Sequence, residues 1–150
     1  MDLQLKDKIA LVSGSTAGIG HAIATSLAKE GSSVIINGRT QERVNEAIAA
    51  IKHMGAIGKL FGLVADLGTA AGVAQVVEQF PHVDILVNNL GIFDPKPFAE
   101  ISDADWMKFF EVNVLSRVCQ LDSPWPYKVR GGDAICGTNG DISKQGFGNR

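Results

Sequence analysis

Two stretches of this sequence hold residues whose types and spacing could do chemistry. Residues 13–20 read SGSTAGIG, three glycines spaced G-x-x-x-G-x-G. Such a turn reverses the chain tightly and lets a phosphate approach the backbone with no Cβ in the way. Where a helix follows, its free N–H groups and positive dipole end favour a pyrophosphate. Glycines in a turn can also be turn chemistry alone, so the flanking elements decide what this one is for. The second stretch, residues 116–132, reads SRVCQLDSPWPYKVRGG and carries the single tyrosine of the chain, Tyr127, beside Lys128. A phenol passes a proton more readily when a nearby ammonium lowers its pKa. Adjacent residues on a helix point about 100° apart, however. Pro124, Pro126 and the following RGG also argue against a helix.

The elements around these residues alternate. KIALVSG at 8–14 reads as a buried strand ending in glycine. Ile19, Ala22, Ile23, Ser26 and Leu27 follow at helical spacing, which predicts an amphipathic helix closed near Gly31. SVIING at 33–38 is the second expected strand, and Thr40 is the candidate N-cap of a helix carrying Val44, Ala47, Ile48 and Ile51 before Gly55. KLFGLVADL at 59–67 is the third strand, followed by a helix with Val73, Val76, Val77 and Phe80, stopped by Pro81. VDILVNN at 83–89 is the fourth strand. Ser102 or Asp103 then caps a helix carrying Trp106, Phe109, Phe110 and Val114. Strands apolar on both faces, alternating with helices, predict an α/β fold with a doubly wound parallel sheet ordered 3-2-1-4.

That pattern lapses after Ser116. Residues 117–150 hold six glycines, two prolines, both cysteines and no clear periodicity. Their net charge is +2, five basic against three acidic, whereas residues 1–116 carry −4, nine against thirteen. The expected organisation is a dinucleotide-binding domain over 1–116 and an irregular tail over 117–150.

Bulk properties narrow the function classes. With 150 residues the chain fits one domain able to bury a core. It is 45% hydrophobic and 20% charged with a net charge of −2, which leaves no basic surplus for nucleic acid and no polybasic run for a membrane. Its apolar runs are too short to span a bilayer, and the charged start MDLQLKDK lacks a signal-peptide core. A cytoplasmic location is expected. Cys119 and Cys136 form no C-x-x-C pair and are expected to be free thiols. His21, His53 and His82 lack ligand spacing, so no metal site is expected.

Together with ADL at 65–67, NNLG at 88–91 and EVNV at 111–114, the glycine turn resembles that of the short-chain dehydrogenase/reductase family. The four motifs stand in the family's order and at its spacing, over roughly residues 5–116. The resemblance implies a Rossmann-type sheet, truncated to about four strands, and hydride transfer between a nicotinamide and the carbon of a small carbonyl or alcohol substrate. It places Gly14, Gly18, Ile19 and Gly20 at the pyrophosphate turn, with a hydroxyl contact from Ser15. Asp66 and Leu67 would flank the adenine, and Asn88 and Gly91 would hold the fourth strand against the nicotinamide end. Asn113 matches the family's asparagine, which supports a water-linked proton path. From the residues alone, Asn113 sits three, four and seven positions after Phe110, Phe109 and Trp106, on an apolar stripe. Burying its amide without partners would cost about 1–3 kcal/mol, so a satisfied structural amide is the alternative. Leu90 stands where the family usually has alanine, and its larger side chain would repack that turn.

Cofactor choice follows from charge. A site selective for NAD usually has a carboxylate just after the second strand, where it accepts from the ribose 2′-OH and repels a 2′-phosphate. Here NGRT at 37–40 puts Gly38 in that place and Arg39 next to it. A guanidinium can pair with a 2′-phosphate through two donors, so NADP(H) is favoured over NAD(H). Arg39 as a solvated loop cation is the competing reading. Ala17 stands where similar NADP-binding proteins often carry a second basic residue.

The family's acid–base pair, a tyrosine with a lysine one helical turn on, has no match. Four residues after Tyr127 comes Gly131, and Tyr127 follows Asn113 by only 14 residues, where the family interposes a helix, a strand and a serine. Truncation followed by unrelated sequence would explain this, as would a frameshift near codon 116; the abrupt loss of periodicity favours the frameshift. Two functions stay open. One is an NADP(H)-dependent carbonyl reductase or alcohol dehydrogenase, of the kind that reduces 3-oxoacyl thioesters. The other is a catalytically inactive NADP-binding fragment or interaction module, pairing as a homo-oligomer or through an exposed sheet edge.

Overall fold

The structure, a computed structural model, describes residues 4–121. In chain order it contains β1 (Ile9–Val12), α1 (Gly18–Lys29), β2 (Ser33–Gly38), α2 (Gln41–His53), β3 (Leu60–Val64), α3 (Ala70–Gln79) and β4 (Ile85–Val87). After a 3-10 turn at Phe98–Glu100, α4 (Asp103–Phe110) passes through a π-helical turn, Glu111–Leu115, into α5 (Ser116–Leu121). The strands form one sheet ordered β3-β2-β1-β4 with every pair parallel. The predicted α/β doubly wound architecture and strand order are therefore what the chain adopts. Leu11 lies opposite Ile35 on one side and Leu86 on the other, and Ile35 lies opposite Phe61.

Alternation along the strands divides the core between the two sheet faces. Leu11, Ile35 and Leu63 point to the face that buries Val76 of α3 and Val83. Val12, Val34 and Ile36 point to the other, against Ala24 and Ala28 of α1 and Ala47 and Ile51 of α2. Each fully buried Leu, Ile or Val contributes about 1.5–3 kcal/mol relative to exposure. The central strands thus carry most of the cohesion.

The expected stripes of α2 and α3 face the core, with Val44, Ala47, Ile51, Val73 and Val76 buried and Ile48, Val77 and Phe80 half-buried against it. The stripe of α1 does not: Ile19 is 75% exposed, and Ala22 and Ser26 are exposed too. The buried face is Gly20, Ala24, Thr25 and Ala28, with Ile23 and Leu27 packed at its flank. Small side chains let the helix lie close to the sheet, so a stripe read from bulky residues came out rotated. The aromatic stripe of α4 also stays outside, with Trp106, Phe110 and Val114 exposed.

Helix starts follow their caps unevenly. Thr69 accepts from Gly72 N at the start of α3, and Ser102 with Asp105 forms a reciprocal capping box on α4. Thr40 precedes α2 as predicted but makes no side-chain cap bond. Helical structure continues past Ser116 to Leu121. The expected irregular tail beyond that point, with Tyr127, Lys128 and Cys136, lies outside the described residues, as does the side chain of Cys119. Among the described residues no helix is long and apolar enough to cross a membrane.

Candidate dinucleotide-binding site

All four strands run the same way, so Gly14, Arg39, Asp66 and Asn88 come together just beyond their carboxyl ends. Between the neighbours β1 and β4 the winding changes sides: α1 and α2 cover one face and α3 the other. A crevice of this kind is where open α/β sheets bind ligands.

Gly14 and Gly18 adopt φ values of 62° and 58°, a region costly for other residues. Gly20 is required for a different reason. A Cβ there would run into the Asn89 amide and the Gly14 carbonyl. Ala17 is the N-cap of α1 and offers no side-chain acceptor. The N–H groups of Gly18, Ile19 and Gly20 open the helix and by geometry lack an intrahelical acceptor. They and the helix dipole form a cradle for an anion.

Ser15 sits differently from the expectation of a hydroxyl facing phosphate. It is fully buried, and its Oγ accepts from the backbone N–H of Asn37 at 2.8 Å. Arg39 is exposed and makes no ion pair among the described residues. Its neighbour Gly38 is buried, and a Cβ there would meet Thr16 Cγ2 and Val44 Cγ2. Asp66 is exposed, with Oδ1 accepting from Gly68 N at 2.9 Å, an Asx-type turn. Leu67 turns inward and is 1% exposed.

The fourth strand ends in a polar lock. Ser13 Oγ accepts from Asn89 N and Leu90 N, both at 3.0 Å, and donates to Val87 O at 3.3 Å. Asn89 Nδ2 donates back to Ser13 O at 3.0 Å and Gly14 O at 3.2 Å. The glycine turn and the NNLG segment thus hold each other in place. Leu90 packs against the core on the α3 side, which accommodates the side chain larger than alanine. Asn88 Oδ1 is buried and finds no hydrogen-bond donor among the described residues. Such an orphan acceptor at the end of a strand fits a group completed by something further.

Asn113 lies in the π-helical turn, a distortion frequent at functional positions. Its Oδ1 accepts from Ile92 N at 2.8 Å and its Nδ2 donates to Ile92 O at 3.2 Å. The amide is therefore satisfied by backbone. Gly91 makes this approach possible, since a Cβ there would stand 3.0 Å from Asn113 Oδ1. Arg117 Nη2 adds a bond to Leu90 O at 3.4 Å. Lys96 pins the intervening loop to α4 through Asp105 at 2.8 Å. That bond is the foremost cause raising the Lys96 pKa and lowering that of Asp105.

The residues expected at the site are thus gathered at one end of the sheet, with Leu67 and Ser15 turned inward. Ser13, Asn37 and Asn89 had escaped notice. Their signal was available, since each is a polar residue at the end of an otherwise apolar strand. Among the described residues no cluster of three or more His, Cys, Asp or Glu could hold a metal ion. The open helix N-terminus, the glycine cradle and the orphan Asn88 acceptor fit a dinucleotide.

Comparison with known proteins gives the same picture. The profile of the short chain dehydrogenase family matches residues 8–137. The uncharacterized oxidoreductase YvaG of Bacillus subtilis is 52% identical over 118 residues, covering 79% of this chain and 45% of that protein. A 3-oxoacyl-acyl-carrier-protein reductase of Aquifex aeolicus is 39% identical over 117 residues, covering 76% of this chain and 47% of that one. Among solved structures, L-sorbose reductase from Gluconobacter frateurii, complexed with NADPH and L-sorbose, superimposes with a TM-score of 0.74 at 31% identity, covering 82% of this chain and 48% of its own. The chain spans about half the length of these relatives.

Proposed function

The chain belongs to the short chain dehydrogenase family, and on that premise we propose that it binds NADP(H) and serves the interconversion of a small carbonyl compound and its alcohol. Residues 1–116 are the dinucleotide-binding part. The N–H groups of Gly18, Ile19 and Gly20 take the pyrophosphate, and exposed Asp66 with the Leu67 backbone borders the adenine. Arg39 takes the 2′-phosphate. The nicotinamide, when bound, supplies or accepts the hydride. Gly91 and Asn113 fix the segment after β4 on which it would rest, and Asn88 holds the strand end. A 3-oxoacyl thioester is the favoured class of substrate, and the cytoplasm the favoured location.

The observation that carries the cofactor choice is the pairing of Arg39, exposed and without an ion-pair partner among the described residues, with a glycine where an NAD-selective carboxylate would stand. Fluorescence titration with NADPH and NADH tests it. Tighter binding of NADPH by about tenfold or more is expected; equal affinities, or tighter NADH, would overturn it.

A second reading is favoured by Tyr127. The chain has no other tyrosine, and lysine follows it directly rather than four residues on. On this reading the 150 residues bind NADP(H) without turning substrate over, because loss of acid–base catalysis alone removes about 10²–10⁴ in rate. Oxidation of NADPH with a panel of carbonyls, 3-oxoacyl thioesters included, separates the two readings.

A further inference from the structure

Behind the glycine turn lies a buried amide with no place in the reading so far. Asn37, on β2, is 2% exposed and follows three fully buried residues, Val34, Ile35 and Ile36. Its Oδ1 accepts from Gly14 N at 3.1 Å, and its Nδ2 donates to Ala65 O at 2.9 Å and Leu63 O at 3.4 Å. Its backbone N–H donates to Ser15 Oγ at 2.8 Å and its backbone O accepts from Ser15 N at 3.0 Å. One residue therefore ties both Gly14 and Ser15 to β2 and to the segment leading into Asp66. A buried amide with all its polar atoms engaged tolerates little displacement, because any shift strands a donor or acceptor away from water.

We propose that Asn37 is a positioning residue for the dinucleotide. It holds the glycine turn and the Ala65–Asp66 backbone at the separation a ligand must bridge from pyrophosphate to adenine. It also engages the N–H groups of Gly14 and Ser15, so that anion binding falls to the first turn of α1. The proposal rests on the NADP(H) reading given above.

Three variants test it. Asn37→Leu removes every side-chain bond, including the one that the Gly14 N–H makes to Asn37 Oδ1. Asn37→Ser keeps a small polar group and carries the test if the leucine variant does not fold. Ile51→Val is the control, a core change in the cluster on the opposite sheet face. NADPH is titrated against each, beside 2′-AMP, which lacks the 5′-phosphate and so reaches only the adenine side, at a temperature where circular dichroism shows each folded. The Asn37 variants should bind NADPH about tenfold more weakly or worse while 2′-AMP changes by less than about threefold. The control should leave both unchanged. Unaltered NADPH affinity in the Asn37 variants, or equal loss for both ligands, would overturn the proposal alone. Failure of the wild-type chain to bind NADPH would overturn the cofactor reading, and this proposal with it.

Discussion

The methyl group of Thr16 stands where residue 38 would need its Cβ. An ideal Cβ on Gly38 falls 2.5 Å from Thr16 Cγ2 and 3.1 Å from Val44 Cγ2. Glycine at this position is thus required by packing, apart from any effect on cofactor choice. Gly38→Asp is expected to cost about 1–3 kcal/mol by overpacking, measured by urea denaturation. Thr16→Ser removes the Cγ2 and should recover part of that loss. The double variant, once folded, should prefer NADH.

Arg39→Ala isolates the charge. A hydrogen bond to a charged group contributes about 1.5–3 kcal/mol, so NADPH should bind about 10- to 100-fold more weakly. NADH has no 2′-phosphate and should be unaffected. Parallel titrations of the two cofactors check this, and an equal loss for both would remove Arg39 from the site.

Gly18 and Gly20 should fail in different ways. Gly18 has a φ of 58° and nothing within 4 Å of a Cβ, so Gly18→Ala pays only conformational strain, about 1–2 kcal/mol. Gly18→Asn, which tolerates the left-handed region, should cost less. At Gly20 the obstruction is the Gly14 backbone and the Asn89 amide. Gly20→Ala should therefore displace the turn, lowering stability and weakening NADPH binding together. Thermal midpoints and titrations of the three variants separate strain from collision.

Asn113→Leu should free the backbone at Ile92 at a cost of about 1–3 kcal/mol. Amide hydrogen exchange at Ile92 is the direct readout. Faster exchange is expected in the variant, with Leu63 and Leu11 unchanged.

Asp84 gives a pH dependence at the other end of the sheet. Its carboxyl is held below the usual carboxylate value of 3.8, foremost by the Ile9 N–H, with His82 and Lys8 adding to the effect. A group whose folded value is depressed contributes stability that is complete above the ordinary value and drains as pH falls through the lower, folded one. Stability should therefore decline below pH 3.8, and Asp84→Asn should flatten that decline. Urea denaturation at about pH 6 and about pH 2 compares the two proteins. Equal slopes would exclude Asp84 as a source.

The strands, their order and the glycine turn were legible because burial on both faces leaves a continuous apolar run, and a phosphate turn demands glycine at fixed positions. The face of α1 was misread because Gly20, Ala24 and Ala28 do their packing by being small, and small residues carry little weight in a hydrophobic stripe. The polar lock was harder still. Ser13, Asn37 and Asn89 belong to motifs separated by 23 to 77 residues along the chain, and only the parallel pairing brings their hydrogen bonds together. Nothing in a local window distinguishes a serine that joins two strands from one facing water.

The order β3-β2-β1-β4 also has a consequence in time. During synthesis β1 emerges first, β2 can pair with it and β3 with β2, yet the other edge of β1 has no mate until Ile85–Val87 has been made. The bonds between Ile9 and Asp84 close a loop of 75 residues. Closing so long a loop carries an entropic cost that local turns escape, and such pairings are slow. The first strand made is therefore not the first to have both its neighbours; β2 is. A ribosome carrying this nascent chain presents an apolar strand edge through most of the interval in which the domain is made, and that interval is when a chaperone would find it.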